Sequence, residues 1–248
     1  MTDTSIISVK NLTKMFGDFT ANDNLTFDVK KGEIFGFLGA NGAGKTTALK
    51  IFCGLSFPTS GEVKIAGFDI YKETEKIKKN IGYMSQKFSL YEDLTVKENI
   101  RFYAKIYGIS KNEIKNKTEE LLEKLNFSHA LNERIKDIPL GWKQKLAFST
   151  AVFHNPKIVF LDEPTGGVDP ITRRQFWDLI YEAAENDITV FVTTHYMDEA
   201  EYCDRVSIMV EGKIMALDTP AKLKEQFDSQ NMDEVFLKLA RNTEEKII

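Results

Sequence analysis

Residues 34–46 read Ile34-Phe35-Gly36-Phe37-Leu38-Gly39-Ala40-Asn41-Gly42-Ala43-Gly44-Lys45-Thr46: an apolar run, a glycine-rich turn, then a lysine and a threonine that open a helical stretch. From Gly39 the spacing is GxxxxGK followed by threonine, placed between a strand and a helix where such a turn can wrap an anion. Glycines let successive backbone N–H groups converge, and the helix start adds favourable dipole charge. Phosphate fits this arrangement. Gly39, Asn41, Gly42, Ala43, Gly44, Lys45, Thr46 and Thr47 are the expected nucleotide contacts, with Lys45 on the β and γ phosphates. The Thr46 hydroxyl is expected on Mg²⁺, which prefers oxygen ligands and arrives with the phosphates. The turn alone is compatible with a nucleotide hydrolase or a kinase.

Working outward, short runs rich in Ile, Val and Phe alternate with amphipathic stretches, the pattern of a parallel sheet covered by helices. Strands are expected at Ile34 to Leu38, Ile81 to Met84, Ile158 to Leu161, Ile188 to Thr193 and Val206 to Val210. Ile6 to Leu12 and Leu25 to Val29 are expected to form an antiparallel edge. Between Thr95 and His154 helical periodicity replaces strand signals. One helix is expected over Val96 to Tyr107, with Ile100, Tyr103 and Ile106 at helical spacing and Gly108 as its stop. Ser110 and Glu113 spell a capping box for the next, whose stripe is Ile114, Leu121, Leu122 and Leu125. The expected division is an α/β core of residues 1–86 and 157–220, a helical insertion of 87–156, and a helical extension of 221–248 with Val235, Phe236 and Leu239 on its apolar face.

The bulk numbers narrow the classes. The chain has 248 residues, 42% hydrophobic and 28% charged, with a formal net charge of -4. That excludes disordered and collagen-like classes and argues against a partner bound through a phosphate backbone, so no nucleic acid is expected. Two cysteines, Cys53 and Cys203, indicate no disulfide framework and suit a reducing cytoplasm. The N-terminal residues do not resemble a signal peptide, and the longest apolar runs fall short of the ~20 residues a membrane-spanning helix needs.

The residue that separates hydrolase from kinase is Glu163. Lys157 to Glu163 is an apolar strand ending in two acids, and acids at a strand's carboxyl end face the ligand crevice of an open α/β sheet. Asp162 is expected to anchor the Mg²⁺ shell. Glu163 is expected to take the proton of a water attacking the γ-phosphate, a role a hydrolase needs.

With cradle and acid pair in place, the chain resembles the nucleotide-binding subunit of ABC transporters over nearly its whole length, a P-loop NTPase fold. The resemblance implies further roles. Phe16 is the platform on which adenine stacks, Gln86 the hinge glutamine that senses Mg²⁺ and water, Asp169 part of a loop crossing a dimer interface, and His195 the switch histidine near the γ-phosphate. His129 and His154 read as structural or surface residues.

One segment departs from the family's Leu-Ser-Gly-Gly signature: Ile138-Pro139-Leu140-Gly141-Trp142-Lys143-Gln144-Lys145, with proline at the serine position. Gly141 remains to donate to a phosphate held by another subunit, whereas Pro139 offers neither hydroxyl nor N–H. The run resembles a variant of exporter-type, ABC-2-like subunits. What the resemblance implies is an ATPase powering export of drugs, lipids or other hydrophobic cargo. It would work as a homodimer, or a heterodimer with a similar subunit, on the inner face of the membrane beneath a separately encoded permease. The permease would dock near Gln86 to Asp93, where Phe88, Leu90 and Tyr91 are candidates. The alternatives are a degenerate site, or a soluble ABC-type ATPase that remodels a ribosome or DNA complex.

Overall fold

The computed structural model describes residues 5–86 and 90–244. Strands β1 (Ser5–Phe16) and β2 (Phe19–Lys30) form a hairpin, and β3 (Ile34–Gly39) runs through the glycine turn into helix α1 (Lys45–Phe52). β4 (Ser60–Ile65), β5 (Phe68–Asp69), α2 (Thr74–Asn80) and β6 (Ile81–Met84) follow. The middle is helical: α3 (Val96–Ile106), α4 (Lys111–Lys124) and α5 (Leu140–Val152). The chain then returns through β7 (Ile158–Asp162), α6 (Pro170–Glu185), β8 (Thr189–Thr194), β9 (Arg205–Val210), β10 (Lys213–Asp218), α7 (Pro220–Gln226) and α8 (Met232–Glu244).

A six-stranded sheet has the order β10-β9-β3-β8-β7-β6. Its strands from β9 to β6 are parallel, and β10 closes one edge antiparallel to β9. The antiparallel part is larger than an edge, because β2-β1-β4-β5 make a second, four-stranded sheet. Register in the first sheet pairs Leu38 with Thr194, Thr193 with Asp162, and Leu161 with Met84. The carboxyl ends of four strands therefore lie level, and Gly39, His195, Glu163 and Gln86 emerge along one rim.

Each face of the six-stranded sheet has its own core. On one, α1 and the four-stranded sheet enclose Phe27, Phe35, Phe37, Phe52, Phe160 and Phe191, all buried, with ring centres such as Phe37–Phe191 at 5.3 Å and Phe52–Phe191 at 5.5 Å. On the other, Val96, Ile100, Leu122, Leu146 and Phe148 of the helical middle join Val159, Leu161, Phe176 and Trp177 in one continuous cluster.

Helix boundaries follow their capping chemistry. The expected Ser110–Glu113 box forms, and Thr95 with Glu98 makes a second box that opens α3. Gly108 ends α3 with φ +75°. The α3 stripe differs from expectation: Val96, Ile100 and Ala104 are buried, whereas Ile106 is 62% exposed because the inward face follows i, i+4 spacing from Val96. Leu90 is core rather than surface, and Phe88 lies outside the described residues. In α8, Met232, Val235 and Leu239 are buried. Among the described residues no helix is long and apolar enough to cross a membrane.

Candidate functional site

Lys45 begins α1 and is 96% shielded, being only 4% exposed. Its Nζ donates to the Gly39 carbonyl at 2.7 Å and the Ala40 carbonyl at 3.0 Å, and lies 3.3 Å from Glu163 Oε1. Burial lowers the ammonium's pKa, and the Glu163 carboxylate partly restores it. Gly42 and Gly44 have φ of +83° and +100°, the left-handed geometry that lets the turn fold around an anion. A Cβ on Gly42, which is exposed, would meet no atom within 4 Å, so its φ and not crowding is what favours glycine there.

Asp162, 1% exposed, accepts from Thr46 Oγ1 at 3.2 Å and Thr193 Oγ1 at 2.8 Å. Burial raises its carboxyl pKa, and those two hydroxyls oppose the rise. Among the described residues no three or more His, Cys, Asp and Glu side chains gather as a metal cage. The Thr46–Asp162 pair is a partial oxygen site, which fits a hard cation carried in by phosphates.

Glu163 holds the centre. Its Oε2 accepts from Gln86 Nε2 at 2.9 Å and lies 3.0 Å from His195 Nδ1. Its backbone adopts φ +49°, which an ordinary side chain resists by about 1–2 kcal/mol. The Glu163 N–H donates to the Thr193 carbonyl at 3.0 Å and to Thr193 Oγ1 at 3.1 Å, and these bonds lock the turn that aims the carboxylate at Lys45. Five residues from the cradle, β8 and the segments just after β6 and β8 thus meet around the carboxylate pair at the end of β7: Gln86, Lys45, Thr46, Thr193 and His195. Thr193 carries no motif in the sequence; the available signal is a hydroxyl near the carboxyl end of a strand whose centre is apolar.

Phe16, Gly141 and Asp169 make no hydrogen bond to this cluster. Phe16 ends β1 at the hairpin tip, 55% exposed, with Lys14 Nζ 4.9 Å from its ring centre, so it is not a core residue. Asp169 is the N-cap of α6, its Oδ1 accepting from the Ile171 and Thr172 N–H groups at 3.0 Å and its Oδ2 from Thr172 Oγ1 at 2.6 Å. Those bonds, the Thr172 hydroxyl first, lower its pKa. Gly141 packs on Thr172, since a Cβ there would come 2.5 Å from Thr172 Cγ2. Pro139 caps α5 with its carbonyl alone, accepting from Trp142 and Lys143 N–H at 3.0 and 3.1 Å, with no side-chain cap. Pro139, Gly141, Gly167 and Asp169 share a cleft of about 320 Å³.

Asn41, Ala43 and Thr47 lie within the turn and the first turn of α1. His129 is exposed, with its ring against Phe127. His154 is structural: its ring stacks on Tyr107 with centres 3.5 Å apart, Nε2 lies 3.0 Å from the Ile81 carbonyl, and burial pushes its pKa down to about 4.

Comparison with known proteins agrees with this geometry. A family model described as ABC transporter matches residues 22–166. The chain is 47% identical over 240 residues to YbhF of Escherichia coli strain K12, a probable multidrug ABC transporter ATP-binding protein; the match covers 95% of this chain and 42% of YbhF. It is 36% identical over 219 residues to the linearmycin resistance ATP-binding protein LnrL of Bacillus subtilis strain 168, covering 88% of this chain and 70% of LnrL. It is also similar to the ATP-binding cassette MJ0796, solved as a dimer in a post-hydrolysis state with ADP and Pi, at a TM-score of 0.78 and 28% identity over 86% of this chain and 98% of that one. A glycine-rich turn, a strand-end acid pair and His195 gathered on one rim have the same meaning as these likenesses: the chain belongs to the ABC transporter family, as an ATP-binding and ATP-hydrolysing cassette.

Proposed function

We propose that this chain is the ATPase motor of an exporter, closing in pairs on ATP beneath a separately encoded membrane permease. The observation that carries the hydrolytic part is the position of Glu163, whose carboxylate sits 3.3 Å from Lys45 and within 3.0 Å of both Gln86 and His195. Lys45 exchanges its carbonyl and carboxylate partners for β and γ phosphate oxygens, which leaves Glu163 able to accept the proton of the attacking water. The water oxygen bonds to the γ-phosphorus, the bond to the ADP oxygen breaks, and the proton passes to Glu163. Gln86 and the ring of His195 hold water and γ-phosphate in line. Thr46, Asp162 and Gln86 would hold Mg²⁺ together with the phosphates, and the ion would supply neutralisation of their charge. Phe16 stacks on adenine by its exposed face.

The second half of each site comes from another copy, or from a similar subunit. The α5 N-terminus with Gly141, and the loop ending at Asp169, supply donors to the nucleotide held by the opposite cradle. The core of residues 1–86 and 157–220 then moves against helices 87–156, with 221–248 as an extension whose Met232, Val235 and Leu239 are buried. The permease docks on the helical side of the Gln86 loop, where Tyr91 and Phe102 are 50% and 38% exposed and meet edge to face at 4.9 Å. The relatives named for multidrug transport and linearmycin resistance support export of drugs, lipids or similar hydrophobic cargo, with the chain lying on the cytoplasmic face of the membrane through its partner.

The test is Glu163→Gln. ATP binding is expected to persist while turnover falls at least about 100-fold, the scale of a lost general base. Size-exclusion chromatography should then show an ATP-trapped dimer. Hydrolysis at the normal rate would refute the role.

A further inference from the structure

The cradle is gripped from behind by a residue that the hydrolytic chemistry does not use. Asn22 in β2 is wholly buried, and its Nδ2 donates to the Gly44 carbonyl at 3.1 Å. Gly44 is the N-cap of α1, and the same carbonyl also accepts the Ala48 N–H at 3.1 Å. One residue earlier, the Ala43 carbonyl accepts the Gly212 N–H at 3.1 Å, and the Gly212 carbonyl accepts the Asp23 N–H at 2.8 Å. Strand β2 and the β9–β10 turn therefore fix two consecutive peptide carbonyls of the turn.

Peptide planarity turns that grip into an instruction for the phosphate side. In a trans peptide the C=O and the following N–H point in opposite directions. Holding the Gly44 carbonyl towards β2 aims the Lys45 N–H away from β2, and holding the Ala43 carbonyl does the same for the Gly44 N–H. The fit behind the turn is close, because a Cβ on Gly44 would come 2.3 Å from the Ala21 carbonyl oxygen and 2.7 Å from Asn22 Nδ2.

Asn22 is a poor choice for packing alone. Its Oδ1 is buried with no hydrogen-bond partner among the described residues, so the amide carries a desolvation cost that an aliphatic side chain of similar size would avoid. The opposite amide orientation would set Oδ1 against the Gly44 oxygen, two acceptors facing each other. The Nδ2 bond to Gly44 is the contact that the asparagine supplies and leucine cannot.

We propose that Asn22 is a positioning residue for phosphate binding, fixing the Gly44–Lys45 peptide plane so that the Lys45 N–H faces the nucleotide. This rests on the reading of residues 39–46 as the ATP cradle. A packing role and a positioning role give opposite signs in Asn22→Leu. Leucine removes the unpaired oxygen and leaves Gly44 bonded to Ala48, so the nucleotide-free unfolding midpoint should hold or rise. The Kd and KM for ATP should rise about fivefold, the worth of one ordinary hydrogen bond, with kcat within about twofold. Asn22→Asp, identical in size, sets a carboxylate oxygen against the carbonyl and should raise the Kd at least as much; it carries the test if leucine does not fit. Calorimetric titration with ATP, steady-state kinetics and thermal melting of the full chain supply these values. An unchanged Kd in whichever variant folds, or affinity and melting temperature falling together in Asn22→Leu, overturns the proposal. Lys45→Ala measured alongside separates the two layers. If it too leaves ATP affinity unchanged, the cradle reading itself fails; if it abolishes binding while Asn22→Leu does not alter it, only the role of Asn22 is lost.

Discussion

The strand-end rim and the α5 N-terminus are built on opposite principles. On the rim, donors and acceptors are saturated by one another: Lys45 with three oxygens, Asp162 with two hydroxyls, Glu163 with Gln86 and His195. At the start of α5, Pro139 contributes a carbonyl and no side-chain cap, and the loop beside it is tied to α5 by Gln144 Nε2 donating to the Gly166 carbonyl at 3.0 Å and to α6 by the Asp169 cap. The first region is complete enough to hold a triphosphate. The second leaves the first N–H groups of α5 without intrahelical partners, as the proposed role of half a shared site requires.

Four substitutions probe that contrast. The largest effect belongs to Lys45→Ala, which removes the only ammonium in the turn and should reduce ATP affinity by at least about 100-fold in direct binding, since charged hydrogen bonds here are desolvated. Retained affinity would break the assignment of the rim. Pro139→Ser tests the other region: a hydroxyl bonded to a charged acceptor contributes about 1.5–3 kcal/mol, so the ATP-dependent dimer should tighten roughly tenfold or more while monomer affinity stays constant. A serine variant that binds ATP more tightly as a monomer, with dimerisation unaltered, would place this segment in cis. Phe16→Ala should weaken ATP and GTP alike, by about fivefold, because face stacking does not read base edges. Equal affinity with and without the ring would detach Phe16 from the site.

The smallest effect on activity is expected from His154→Phe, and its signature lies in pH. Burial depresses the His154 pKa to about 4 in the folded state, from 6.5. Its contribution is fully present above the unfolded value of 6.5. As pH falls from there towards 4 the unfolded chain takes up a proton that the folded chain refuses, and roughly 2 kcal/mol of stability is lost after allowing for the ring's partial exposure. Denaturant titrations should show the phenylalanine variant less sensitive to acid over that window. An equal acid loss in both proteins would move the titrating group elsewhere.

Legibility in the sequence followed how local each determinant is. The cradle, the two acids of β7 and the Ser110 cap are encoded within eight residues, so spacing alone exposes them. The hairpin of β1 and β2 was shorter in the sequence than in the fold, because Asn11 at φ +51° and a register shift between Val9 and Leu12 break the alternation that marks a strand. β4 and β10 are strands by virtue of their neighbours, β1 and β9, since only Val63 and Ile65 of β4, and no residue of β10, are buried. Ile106 and Leu90 exchanged their expected faces for a related reason: an apolar residue at helical spacing names a candidate face, and only packing selects it. Thr193 and Asn22 are buried polar residues on strands that carry other polar residues too, with partners 31 and 22 positions away that no motif joins to them.

The six phenylalanines beneath α1 have a mechanical consequence. Close-packed aromatic rings compress little and leave no void into which a neighbouring strand can sag. A floor of this kind keeps the distance between Lys45 and the ends of β7 and β8 nearly constant through the catalytic cycle. Any movement that follows bond cleavage would then fall to segments outside that floor, and through them reach whatever surface rests on the helices.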